Sequence, residues 1–257
     1  LEAARYLYSV ASTGMAEKLG NIGIEEKPVY TVPYRDIAAV IHSCESRPYE
    51  TDDERLAEEW VLEHAYVIDQ ATTRFGTVLP VSFDVILKGD DLAVKDWLSR
   101  NYVRLRQELE RVKGKSEYSV QIFYDYDEMA SRVLRDNPDL EGLKSRLEKE
   151  PKGKAYLLQR SLDMKLQDLV SSETSRLADR FCSEIKQLTE DLKVEDRRTW
   201  REERFRGKKL LASYSCLVSR DNVERLGEAL ENIDRLEGLS VRFTGPWSPF
   251  SFVSLEA

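Results

Sequence analysis

The sequence predicts an α+β protein of two domains, each a small, mostly antiparallel sheet with helices packed on it, and an extended C-terminal tail. Three observations predict this. Strand-like and helix-like periodicities alternate along all 257 residues, a length ample for two small cores. In the second half the order is long helix, strands, helix, strand, which suits helices on one face of an antiparallel sheet in a ferredoxin-like arrangement. Asn137, Pro138, Gly142, Pro151 and Gly153 cluster between two periodic segments, as residues at a boundary do. The expected division is therefore 1–150, an N-terminal α+β domain; 151–244, a ferredoxin-like domain; and 245–257, the tail.

Residues 5–11 form an apolar and aromatic run that ends near Gly14, a first strand with Tyr6 and Tyr8 on one face and Leu7 and Val10 on the other. Residues 29–32 and 37–42 flank Pro33 and a polar turn. They read as adjacent strands, the second continuously apolar and so buried,. From Asp52 the period changes: Leu56, Trp60, His64, Val67, Ile68, Ala71 and Phe75 recur at steps of three and four, one stripe of a helix. Asp52, Asp53 and Glu54 sit at its start, where carboxylates favour the positive end of the dipole. Residues 77–87 are an apolar strand interrupted by Pro80, which demands an edge position or a bulge because one ladder donor is missing. A helix over 91–112 ends at Gly114, and 118–124 alternate as a strand does,.

Beyond the boundary, leucines and Phe181 hold a helical stripe from Leu158 to Leu192, about 50 Å long if unbroken. It is interrupted between Val170 and Leu177 and drifts from strict heptads, so packing on its own sheet is expected rather than a coiled-coil arm. A strand over 209–218, a helix over 222–236 and a strand over 239–244 complete the pattern.

Hydrophobic residues make up 41% and charged residues 33% of the chain, the composition of a soluble globular protein with heavily charged helices. Acidic residues outnumber basic ones 47 to 39, for a net charge of -8, which on average repels a phosphate backbone and argues against nucleic acid. No apolar run approaches the roughly 18 residues of a bilayer span, and no basic region precedes an apolar signal core. A cytoplasmic protein without a lipid-membrane partner is expected. Cys44, Cys182 and Cys216 are widely spaced and announce neither a disulfide framework nor a zinc knuckle.

Candidate chemistry is sparse. His42 and Cys44 share one strand face at i, i+2, yet two more ligands would be needed for a metal, and an ordinary strand end is preferred. His64 lies on the apolar stripe of its helix, which favours a buried neutral imidazole over a general base. Asp125 and Asp127 leave a strand and precede a helical pattern, as metal-binding carboxylates do in phosphoryl-transfer enzymes. Helix capping explains them more simply, since no glycine-rich phosphate loop accompanies them. The basic, aromatic stretch over 197–209 resembles single-strand nucleic-acid binders, but on an acidic chain it suits pairing with carboxylates of its own chain or of a partner. No catalytic residue, metal site or cofactor is assigned.

The tail, Thr244-Gly245-Pro246-Trp247-Ser248-Pro249-Phe250-Ser251-Phe252-Val253, carries more information than any other segment. Pro246 and Pro249 remove backbone donors and fix φ, so the segment should run as an extended, edge-seeking ribbon with Phe250 and Phe252 on one face. Gly245, Pro246, Trp247, Pro249, Phe250 and Phe252 are the candidate residues, either for contact with a partner or for sealing the domains.

Several motifs in order share a resemblance with this tail. They are Tyr6-Leu7-Tyr8, the helix over 61–68 around His64, Val78-Leu79-Pro80-Val81-Ser82-Phe83, the strand over 114–124, Ala155-Tyr156-Leu157 and the strand over 212–218. Together they resemble the GvpF/GvpL family of gas vesicle accessory proteins over nearly the whole chain. Phe83-Asp84, where the family often has Phe-Gly, and Ser248, often Pro, depart from the pattern. The resemblance implies a non-enzymatic role in assembling gas vesicles, with His64, Pro80 and Phe83 as family-pattern core positions. It implies location in the cytoplasm at the vesicle, and as partners the shell protein and other accessory proteins. A small hydrophobic shell subunit exposes apolar surface and strand edges before assembly, and a soluble acidic partner would mask them. The alternatives are a small-ligand-sensing ferredoxin-like module and a divalent-metal enzyme using Asp125 and Asp127.

Overall fold

The computed structural model describes residues 2–147, 151–195 and 205–255. The chain divides into two compact units, Leu1–Glu117 with Pro246–Ala257, and Tyr118–Gly245.

The first unit holds β1 (Ala3–Ala11), β2 (Lys18–Gly20), β3 (Val29–Tyr34), β4 (Ile37–Glu45), α1 (Glu54–Phe75), β5 (Val78–Pro80), β6 (Ile86–Lys88) and α2 (Asp91–Val112). Its sheet runs β2-β3-β4-β1-β5, and β6 also pairs with β1. The pairings of β1 with β4, β5 and β6 and of β3 with β2 and β4 are antiparallel. Helices cover both faces. Trp60, Val67, Ile68 and Ala71 of α1 meet Tyr6, Tyr8 and Ala11, while Val94, Leu98, Leu105 and Leu109 of α2 meet Leu7, Val10, Val32 and Ile41. Burial on both sides is why β4 reads as a continuous apolar run. Leu7 and Val10 share a face although three residues apart, because the register of β1 against β4 shifts between Leu7 and Ser9, as an inserted bulge residue does.

Asp53 and Asp90 cap the two helices, their carboxylates accepting from the backbone N–H groups of residues 55 and 56 and of 92 and 93,. Residues 77–87 are not one strand. Val78–Pro80 and Ile86–Lys88 pair with opposite ends of β1, and the chain between them lifts away while Val81 N–H still bonds Tyr8 O and Leu7 N–H bonds Val85 O. Pro80 ends the first piece, in an edge strand where its missing donor costs nothing.

The second unit comprises most of β7 (Lys115–Tyr124), then α3 (Tyr126–Arg135), α4 (Pro138–Leu147), α5 (Lys152–Lys186), β8 (Asp191–Val194), β9 (Lys209–Ser219), α6 (Val223–Asp234) and most of β10 (Leu239–Trp247). Its sheet has the order β10-β7-β9-β8, with β8 antiparallel to β9. Val120, Ile122, Cys216, Val218 and Leu239 of the sheet share one core with Met129, Leu140, Val170, Phe181, Ile185, Leu226 and Leu230 of the helices.

Three expectations change here. The break falls between Glu117 and Tyr118 rather than near residue 150, because α3 and α4 pack on α5 and share its core. The punctuated segment after Asn137 is largely the helix α4, which buries Leu140. The long stripe stops at Lys186, and Leu192 belongs to the edge strand β8 instead. The gap in that stripe has a cause. Glu173 stands between Val170 and Leu177, paired with Arg132 of α3 at 2.9 Å and Arg176 at 2.8 Å.

Candidate functional site

The tail is anchored within the first unit by a short turn and several charged side chains. Phe250 N–H donates to Ser248 O at 2.8 Å, and the N–H groups of Phe252 and Val253 donate to Pro249 O at 3.1 Å. The Glu117 carboxylate accepts from Ser251 N–H at 2.8 Å and from the Ser251 hydroxyl at 2.6 Å. Arg104 donates to Ser254 O at 2.6 Å, Arg111 donates to Phe252 O, and the hydroxyls of Ser248 and Thr72 lie 3.1 Å apart. Val253 and Leu255 pack against the cluster containing Leu105 and Leu109 of α2.

This turn divides the aromatics. Phe252 is 7% exposed, whereas Trp247 is 52% and Phe250 39% exposed. Extended structure ends at Trp247 with β10, an edge strand of its sheet, so Phe250 and Phe252 do not share a face. Ser248 and Pro249 are buried, while Gly245 and Pro246 are exposed. Gly245 has φ 137°, where a Cβ would be strained, which accounts for glycine immediately before the proline. A groove of about 350 Å³ is lined by Asp69, Gln70 and Thr73 of α1, Lys115 and Trp247 among others. The exposed indole is thus one wall of a concave surface.

Two of the family-pattern residues, His64 and Phe83, lie in a second cluster with Tyr6, Tyr8 and His42. His64 is buried, its Nε2 3.0 Å from Val81 O and its Nδ1 3.0 Å from the Tyr6 hydroxyl. A carbonyl only accepts, so Nε2 carries the proton and Nδ1 accepts from Tyr6. Tyr6 in turn accepts from Asp84 N–H at 2.9 Å. His42 repeats the device: Nδ1 is 2.7 Å from the Tyr8 hydroxyl, which accepts from Ile24 N–H at 2.9 Å, and Nε2 is 3.1 Å from the Tyr49 hydroxyl. Tyr6 stacks on His42 with ring centres 5.1 Å apart, and Phe83 meets the edges of Tyr6 and His64.

Burial holds both imidazoles neutral, pushing each down to about 4; Lys27 adds to the effect at His42, and the bond to Val81 opposes it at His64. Burial also raises the phenols of Tyr6 and Tyr8. His42 is therefore a partnered core residue. Sequence periodicity missed its pairing with Tyr8 because the two lie on neighbouring strands, 34 residues apart. Asp84 occupies the left-handed region at φ 66°, and its carboxylate accepts from Tyr49 N–H at 3.0 Å. The departure from Phe-Gly keeps the turn by adding a side-chain bond where glycine would supply only freedom.

Asp125 caps α3, accepting from the N–H groups of Asp127 and Glu128 at 2.9 and 3.0 Å. Among the described residues no three His, Cys, Asp or Glu side chains form a group able to hold a metal ion. No helix among them is long and apolar enough to cross a membrane. Most of the basic stretch, residues 197–204, lies outside the described residues. Phe205, the first described residue of that stretch, is buried against Phe123 with ring centres 4.5 Å apart.

Comparison with known proteins places this architecture. Residues 4–254 match the family model described as gas vesicle synthesis protein GvpL/GvpF. The chain is 33% identical over 252 residues to gas vesicle protein L1 of Halobacterium salinarum, covering 96% of the chain and 89% of that relative. It is 28% identical over 255 residues to gas vesicle protein F of a Streptomyces species, covering 96% and 98%. The crystal structure of the gas vesicle protein GvpF from Anabaena sp. PCC7120 superposes with a TM-score of 0.74 at 19% identity, covering 99% of this chain and all of that one, and so shares the fold. With a two-unit α+β architecture and a family match that runs from the first strand into the tail, the chain belongs to the GvpL/GvpF family of gas vesicle synthesis proteins.

Proposed function

We propose that this protein serves gas vesicle assembly by binding the hydrophobic shell protein, or another accessory protein, without catalysing a reaction. The carrying observation is the exposed Trp247 at the end of the edge strand β10, with Phe250 exposed three residues on. An edge strand offers main-chain pairing to an extended segment, and aromatic side chains beside it act as anchors. The shell subunit before assembly presents complementary features, apolar surface and free strand edges, and the net charge of -8 keeps the bound pair soluble. The protein works on the water side of the vesicle wall, in the cytoplasm. We also read the second unit as ferredoxin-like, on the support of its strand order.

Deleting the whole tail is a poor test, because it removes the buried Phe252 and the Ser251 bonds to Glu117. Trp247→Ser with Phe250→Ser leaves those anchors in place. The expected result is a folded protein whose binding to purified shell subunit falls at least about tenfold. Undiminished binding would overturn the proposal.

A further inference from the structure

The outward face of α1 is the least explained surface of the first unit. Helices on a soluble protein turn an apolar stripe inward and a polar face outward, and α1 obeys the first half of that rule with Trp60, His64, Val67, Ile68 and Ala71 buried. On the opposite side Leu62 is 69% exposed, Tyr66 50% and Val61 48%, with Ala65 also exposed. These positions are i, i+1, i+4 and i+5, so the four side chains are neighbours on one face. Leu92 and Val103 of α2, also exposed, are eleven residues apart and make no such patch.

The rim is acidic. Glu58 and Glu59 lie one turn before Leu62, and Asp69 lies one turn after Ala65,. All three are exposed, and none pairs with a cation among the described residues. Arg55 is exposed one turn before Glu58 and Glu59, so this face carries three carboxylates against one cation; an apolar seam with such a net acidic flank selects its occupant by charge, as the flanking positions of paired helices do. A second copy of the chain would bring Glu58, Glu59 and Asp69 against the same carboxylates. A helix with lysines or arginines beside its apolar stripe would instead neutralise them. From Glu58 to Asp69 the face extends about 17 Å, room for three turns of a partner helix.

We propose that the outward face of α1, centred on Leu62 and Tyr66, docks a basic-flanked amphipathic helix of another polypeptide. Its apolar centre, Leu62 and Tyr66, uses neither β10 nor the tail aromatics, and only Asp69 at its edge also lines the groove with Trp247.

The test uses the full chain and two synthetic peptides of about 18 residues, long enough to form helix on a surface. Both carry the same leucine stripe, one flanked by lysines and the other by glutamates. Binding is read by fluorescence anisotropy of the labelled peptide. The lysine peptide is expected to bind, and to lose about tenfold or more in affinity with Leu62→Ser plus Tyr66→Ser. It should also weaken with Glu58→Gln plus Asp69→Asn and with added salt, and be unaffected by Leu92→Ser or Trp247→Ser. All substituted side chains are exposed, so the fold is retained. Equal binding by the double serine variant, equal binding of the glutamate peptide, or no binding of the lysine peptide at low salt would each overturn the proposal. Self-association abolished by the same serine pair would assign the surface to a second copy and overturn it too.

Discussion

Lowering the pH from about 7 to about 5 should destabilise this protein through two side chains. The chain has only two histidines, both in the tyrosine-lined core between β1, β4 and α1. Burial depresses each folded pKa from 6.5 to about 4. The associated stability is fully present above the unfolded value near 6.5 and is lost as pH falls through the interval down to about 4. Over the first one and a half pH units, at about 1.4 kcal/mol per unit, each unfolded imidazole takes up a proton that the folded one refuses. That amounts to about 2 kcal/mol per histidine by pH 5, or about 4 for the pair, a large share of the roughly 5–15 kcal/mol that holds a domain together. Carboxylates titrate mainly below this window, so the imidazoles dominate it. Urea unfolding at fixed pH, followed by tryptophan fluorescence, measures the loss. In His42→Gln and His64→Gln, glutamine supplies the same acceptor and donor without titrating. Each single variant should show about half the acid sensitivity between pH 6.5 and 5, and the double variant little. A folded double variant that loses as much stability as the natural protein over that interval would refute the reasoning.

Asp84→Ala should cost about 1–2 kcal/mol in a urea titration, mainly the lost bond to Tyr49 N–H, since Asp84 already holds a Cβ at φ 66° and alanine lacks the local hydrogen bonding that helps aspartate tolerate it. Asp84→Gly loses the same bond but relieves the left-handed strain, so it should cost less than Asp84→Ala. Phe252→Ala removes a buried ring and should cost about 3 kcal/mol, while Phe250→Ala, at a half-exposed side chain, should stay within about 0.5; equal effects would mean that the tail turn is wrong. Asp125→Ala should lower stability by about 1 kcal/mol as a lost helix cap. Magnesium or calcium should not raise the melting temperature of the parent, and a rise that vanished in the variant would restore the metal-site reading.

Much of this architecture was legible because its signals are local. The stripes of α1 and α2, the aspartates before them and the alternation of β7 are set by neighbours a few residues apart, so periodicity located them. His64 could be assigned to a core because it falls on the longest apolar stripe of its helix, with Trp60, Val67, Ile68 and Ala71. The motifs running from Tyr6 to Phe252 likewise sufficed to indicate the family. Tertiary structure alone decided matters that depend on residues far apart. Phe250 and Phe252 are chemically alike, and what separates them is the Glu117 carboxylate holding Ser251, 134 residues away in sequence. The segment 77–87 is largely apolar and reads as one strand, yet β1 can pair with only its two ends because Phe83 and Asp84 turn toward Tyr6 and Tyr49. Proline and glycine near residue 140 look like a linker, but the boundary between compact units follows shared burial, and α4 shares its burial with α5. Composition and spacing record what a segment prefers by itself; which side chains remain in water is settled only when distant segments compete for the same core.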